Sequence, residues 1–250
     1  MTSLIFVAVA SGSRGGPLIG PGGHSAIVDI PDFAIAVFDM DGTLYSTDNS
    51  VVPAVLDIFR EFGIPEPPVD EIEDLIGRPD TYYHDWVRRY GGDQGDQLVE
   101  AVDARERELV SKNGSLYPRA KETLRELRQL GVRTALLTNA GRDYCMMVLH
   151  TFDMEDLFDT ISWFDGLGNG DKAERLGRII RDFGGGTAIM VGDRFYDFEA
   201  ARAVGCTSIG VSHGFGNEEL DAADILIHGL WGIVELKLRA TARRLEGIED

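Results

Sequence analysis

A few widely separated residues of this chain could do chemistry together. Asp39 and Asp41 stand two apart, with Gly42 directly after them. Such paired carboxylates suit a hard cation such as Mg2+, which takes oxygen ligands and keeps water and substrate phosphate in its shell. Asp193 offers a third carboxylate. Thr138 and nearby backbone N–H groups can hold phosphate oxygens, and Lys172 can neutralise charge on a transferring phosphoryl group. An aspartate can also attack phosphorus itself, giving an acyl phosphate that water opens.

These groups need a scaffold that gathers them. The apolar run 33–38 ends in Asp39-Met-Asp-Gly42 and reads as a buried strand followed by a turn. Residues 132–137 read as a strand ending at Thr138-Asn139, and 187–191 as one ending at Gly192-Asp193. Further strands are expected at 158–163, 207–211 and 225–227, with helices at 118–130, 143–152, 172–183, 196–204 and 230–245. That alternation predicts an α/β fold, a Rossmann-like parallel sheet with helices on both faces. Ligands of such sheets bind at the carboxyl ends of the strands, where the polar groups above would meet.

One stretch breaks the rhythm. Residues 49–115 carry helical patterns at 51–62, 70–76, 81–90 and 97–110 and no strand pattern. They read as a small helical cap inserted into a core of residues 31–48 and 116–250, behind a Gly/Pro-rich flexible extension over 1–30. The apolar residues 4–10 could add an edge strand; no basic residue precedes them, which disfavours a cleavable leader. Tyr82, Trp86 and Tyr90 share a helix face and read as core packing, His84 as packing or surface, and His213 as a loop residue.

With these motifs in order, the sequence resembles the haloacid dehalogenase superfamily, in its helical-cap phosphatase branch, and is most similar to phosphoglycolate-phosphatase-like members. The likeness rests on Val37-Phe-Asp39-Met-Asp41-Gly42-Thr43-Leu44, Leu136-Leu-Thr138-Asn139, Lys172 and Val191-Gly192-Asp193-Arg-Phe-Tyr-Asp197, and it spans about residues 33 to 235. The resemblance implies that Asp39 is the nucleophile and Asp41 the general acid and base. It implies that Asp39, Asp193 and the Asp41 carbonyl hold Mg2+, with Asp197 supporting the metal or pairing with Lys172. Thr138, Asn139 and Lys172 would bind phosphate. Arg78, in the cap turn Gly77-Arg78-Pro79, is a candidate substrate contact. The chain departs from the family at Arg119, where a glycine is usual, at Ala140, where a lysine is common, and at Ala173, where a proline often follows the lysine.

The expected activity is hydrolysis of a small phosphorylated metabolite. A sugar-phosphate mutase of the same fold and a non-catalytic binding protein remain alternatives. The formal net charge of -18, from 42 acidic and 24 basic residues, argues against nucleic-acid or anionic-membrane partners. No apolar run approaches the ~20 residues of a membrane span. Cys145 and Cys206 follow no metal or redox spacing, so a reduced cytoplasmic setting is expected, for a monomer or homodimer.

Overall fold

The structure is a computed structural model that describes residues 8–9, 30–166 and 168–247. Seven strands, β1 (Ala8–Val9), β2 (Ile35–Phe38), β3 (Arg133–Gly141), β4 (Thr160–Phe164), β5 (Ala188–Gly192), β6 (Thr207–Val211) and β7 (Ile225–Ile227), form one sheet in the order β1-β7-β6-β5-β2-β3-β4. All neighbours are parallel except β1, which pairs antiparallel with β7. The rest of the extension expected over 1–30 lies outside the described residues, apart from Ile30.

β2 is buried along its whole length because helices cover both faces of the sheet. Side chains alternate between the faces. Ala36, Phe38 and Leu136 pack with residues of α5 (Ala120–Gln129), α6 (Arg142–Thr151) and α9 (Trp231–Glu246). Ile35, Val37, Ala135 and Leu137 pack with residues of α7 (Lys172–Asp182) and α8 (Phe195–Val204). Each such Val, Leu, Ile or Phe side chain contributes about 1.5–3 kcal/mol by leaving water.

Register then places the chemistry. Phe38 is level with Leu136 on one side and Val191 on the other. Asp39 therefore leaves β2 beside Thr138 and Asp193, at the carboxyl end of the sheet. β3 itself runs on through Thr138 and Asn139 to Gly141, further than the apolar pattern suggested, because β4 continues to pair with it at Gly141 across an irregularity.

Between β2 and β3 the chain forms α1 (Asp48–Glu61), α2 (Val69–Glu73), α3 (Asp80–Gly91) and α4 (Gly95–Asn113), with a single 3-10 turn at Gly92–Gln94. These helices pack around a cluster of their own that includes Val55, Phe59, Trp86, Leu98 and Val102. Trp86 stacks on Phe59 and donates its indole N–H to Glu71 at 2.7 Å. Tyr90 joins the stack, but Tyr82, expected in the core, is 56% exposed. One helical turn further from the Phe59 contact, it falls beyond the helix's apolar stripe. The insertion leaves and rejoins the core along paired backbone, with Ser46 N–H donating to the Ser115 carbonyl (3.0 Å) and Tyr117 N–H to that of Leu44 (2.9 Å). Among the described residues, no helix is long and apolar enough to cross a membrane.

Candidate active site

Asp39, Asp41, Thr138, Lys172, Asp193 and Asp197 are all buried together at the carboxyl ends of β2, β3 and β5. Lys172 begins α7 behind an Asp171 cap, whose side chain accepts from the Glu174 N–H. The helix start aims the ammonium at two carboxylates, Asp39 Oδ1 at 2.7 Å and Asp197 at 2.6 Å. Burial works against the ammonium, yet the fields of Asp197 and Asp39 outweigh it and raise its pKa. Lys172 therefore keeps its proton. Asp39 Oδ2 is buried without a hydrogen-bond partner.

Asp41 sits in a cradle of hydroxyls. Thr47 (2.7 Å) and Tyr144 (3.2 Å) donate to its Oδ1, and Thr138 reaches Oδ2 at 3.4 Å. Burial raises its pKa, and these donors only partly offset the shift. Asp193 accepts from the Thr43 hydroxyl (3.1 Å) and the Phe215 N–H (2.7 Å), yet burial and the Asp197 charge push it up to about 7. Gly42 has φ +79°, and a Cβ there would lie 2.5 Å from Asp193 Oδ2, so the turn admits only glycine.

The donor set suits a hard metal ion. Asp39, Asp193 and Asp197 each offer a carboxylate oxygen within 4.8 Å of the others. All are oxygen donors, and burial pushes Asp39 and Asp193 up in a way that a bound cation would relieve.

Two candidates sit elsewhere. The Asn139 amide donates to the Gly77 carbonyl (3.1 Å), and its oxygen accepts from Arg175 (2.9 Å). It thus ties the insertion to the core. Arg78 spends its guanidinium on Asp74, at 2.6 Å to the carboxylate and 2.7 Å to the carbonyl. His213 fits its expected loop role, bonded to the Thr43 carbonyl and packed on Tyr117.

Two buried arginines escape a reading by motif. Arg175, one turn after Lys172 in α7, donates to the Thr138 carbonyl at 2.7 Å. That i, i+3 spacing was the available signal. Arg194 follows Asp193 and reaches the carbonyls of Asp74 and Ile76 in the insertion, while Glu219 holds its other nitrogens at 3.0 Å. Gly77 has φ +81°, and a Cβ there would meet Arg194 Cγ at 2.8 Å. The insertion is therefore shut against the core by Asn139, Arg194 and an Asp80 carboxylate that accepts from the Gly141 N–H.

A cavity of about 390 Å3 lies between the two layers, walled by Asp41 on the core side and by α3 and α4 on the other. His84, expected in packing or at the surface, lines it and pairs with Asp103 at 3.3 Å.

Comparison with known proteins gives one family, whose similar members carry more than one activity in their names. The profile of the haloacid dehalogenase-like hydrolases matches residues 36–211. The chain is 28% identical over 208 residues to phosphoglycolate phosphatase of Mannheimia succiniciproducens, covering 77% of this chain and 91% of that one. It is 27% identical over 191 residues to the tyrosine-protein kinase PtkA of Mycobacterium tuberculosis, covering 74% of this chain but only 64% of that protein's length. In fold it is similar to the crystal structure of a predicted phosphoglycolate phosphatase from Haemophilus somnus, with a TM-score of 0.75 at 20% identity over 83% of this chain and 99% of that one.

Proposed function

Since the chain belongs to the haloacid dehalogenase-like hydrolases, we propose that it is a phosphatase of small phosphomonoesters, working through an aspartyl-phosphate on Asp39. The observation that carries this reading is the state of the Asp39 carboxylate. Lys172 fixes one oxygen, and the other is buried and unpartnered. A fixed carboxylate with one bare oxygen suits attack on phosphorus.

In the first step the Asp39 oxygen bonds to phosphorus as the ester P–O bond breaks. Asp41, whose raised pKa favours a held proton, gives that proton to the leaving alkoxide. In the second step Asp41 takes a proton from water, the water oxygen bonds to phosphorus, and the acyl phosphate opens to inorganic phosphate and free Asp39. Lys172 and Thr138 face the phosphoryl oxygens. Asp39, Asp193 and the Asp41 carbonyl would hold Mg2+, with Asp197 supporting through Lys172; when bound, the ion supplies neutralisation of phosphate charge. The names of the relatives make phosphoglycolate the first substrate to try, as a cytoplasmic metabolite.

The test is Asp39→Asn. It should abolish Mg2+-dependent turnover while leaving the circular dichroism spectrum unchanged, and mass spectrometry of quenched wild-type protein should find the acyl phosphate on the peptide carrying Asp39. Turnover retained by Asp39→Asn would overturn the reading.

A further inference from the structure

The cavity between insertion and core is where the alcohol portion of a phosphomonoester must lie, because Asp41 is its floor. Its lining is acidic within, where His84 is already paired with Asp103, and its arginines stand at the mouth. Asp80, Asp103 and Glu106 line it together with Asp41. The three arginines at its edge are committed or outside: Arg78 pairs with Asp74, exposed Arg142 pairs with Asp143, and Arg107 is exposed.

Two groups in this chamber lack what burial demands. Glu106 is 7% exposed, and among the described residues no basic group lies within ion-pair distance of it. Its neighbour is the Tyr144 hydroxyl, a neutral partner that it shares with Asp41. The Tyr83 hydroxyl is buried with no hydrogen-bond partner, and the charges acting on it are those of Glu106, Asp103 and Asp80. Asp80 has one oxygen occupied by the Gly141 N–H, and His84 serves Asp103. The chamber thus presents Glu106 with no cation beside it, the second oxygen of Asp80, and the unpartnered Tyr83 hydroxyl, which can accept as well as donate. Leaving such groups unmatched is expensive, and a carboxylate placed among them would be repelled.

We propose that this chamber binds a primary ammonium group on the leaving alcohol, so that the preferred substrates are phosphomonoesters of amino alcohols. An ammonium carries three N–H donors and one positive charge, matching three acceptors in an acidic pocket. The proposal rests on the phosphatase reading for its chemistry and departs from the relatives over substrate, since phosphoglycolate would bring a carboxylate into the same space.

The experiment uses the full chain with Mg2+ and four esters: O-phosphoethanolamine, glycerol 1-phosphate, ethyl phosphate and 2-phosphoglycolate. The expected kcat/KM of phosphoethanolamine exceeds that of ethyl phosphate at least 10-fold, and 2-phosphoglycolate falls below ethyl phosphate. Glu106→Gln should cut the ratio of phosphoethanolamine to phosphoglycolate about 10-fold or more, the size expected for one charged hydrogen bond. Asp80→Asn should shift the ratio the same way if Glu106→Gln fails to fold. A preference for phosphoglycolate or for glycerol 1-phosphate, or a ratio unmoved in the folded variant, overturns the proposal while leaving the phosphatase reading intact. Turnover of none of the four sinks the phosphatase reading instead. The chamber is then judged by calorimetry with the free alcohols: ethanolamine binding to wild type and not to the variant supports it, and glycolate binding as well as ethanolamine overturns it.

Discussion

Arg194, the residue directly after Asp193, ends on the carbonyl of Ile76, 118 positions earlier in the chain. A side chain from the catalytic edge of the sheet thereby holds the turn that closes the cavity. Replacing it with alanine removes donors from the Asp74 and Ile76 carbonyls and leaves Glu219 only the Phe195 N–H. Arg194→Ala should lower stability by about 1.5–3 kcal/mol, the size of hydrogen bonds lost to a charged group, since Glu219 is 32% exposed. It should also raise KM more than it lowers kcat, because closure is affected before chemistry is. Urea unfolding and steady-state kinetics check both, and an unchanged KM would detach this arginine from closure.

Asp41→Asn keeps the hydroxyl cradle occupied but removes the exchangeable proton. kcat should fall by ~10²–10⁴-fold, the usual range for general acid–base catalysis. An ester with a very acidic leaving group, such as 2,4-dinitrophenyl phosphate, should lose much less in its first step. Burst kinetics on the two esters separate the roles, and an equal loss on both would argue against proton donation.

Asp80 gives a pH dependence. Burial lifts its pKa from 3.8 to about 6, with the His84 charge and the Gly141 N–H pulling it down only in part. A carboxyl whose pKa is higher in the folded state favours folding most below about pH 4, and that contribution is lost as pH rises through about 6. Asp80→Asn cannot ionise. Its effect on stability should therefore become more favourable by roughly 2–3 kcal/mol between pH 4 and pH 7.5. Unfolding curves at the two pH values decide it; an effect of the same size at both would place the ionisation cost elsewhere.

Arg119 holds a left-handed backbone, φ 66°, where the family usually has glycine. Its guanidinium lies 3.5 Å over the Trp231 ring, which anchors α9 to the start of α5. Alanine loses the stacking and keeps the strain, whereas glycine loses the stacking and relieves it. Arg119→Gly should thus be more stable than Arg119→Ala by about 1 kcal/mol. Thermal melts of the pair compare them directly, and an equal Tm would mean that the strain is not felt.

The sheet was legible because β2, β3 and β5 are apolar runs that stop at polar residues, and a parallel sheet delivers such ends to one edge. Asp39, Asp41, Thr138 and Asp193 follow from that rule, and Lys172 from its place at the start of a helix. The chamber was harder to read. Asp80, Tyr83 and His84 share a face of α3 by i, i+3, i+4 spacing, and Asp103 and Glu106 share a face of α4. No pattern in the chain says that these two faces meet over Asp41. Asn139 shows the opposite failure. Its position beside Thr138 suggested phosphate, but its amide is taken by the Gly77 carbonyl, a contact that depends on how the insertion closes.

The paired backbone at Ser46–Ser115 and Leu44–Tyr117 bears on how such a protein can change over evolutionary time. The insertion's two ends are neighbours, so the sheet meets it as one short loop whatever its length. Lengthening a loop with fixed ends adds only about 0.6 kcal/mol per doubling. Helices can accordingly be added, shortened or replaced between those ends with little penalty to the phosphate-handling edge. New leaving-group preferences can arise by exchanging one segment while the reaction chemistry is inherited unchanged.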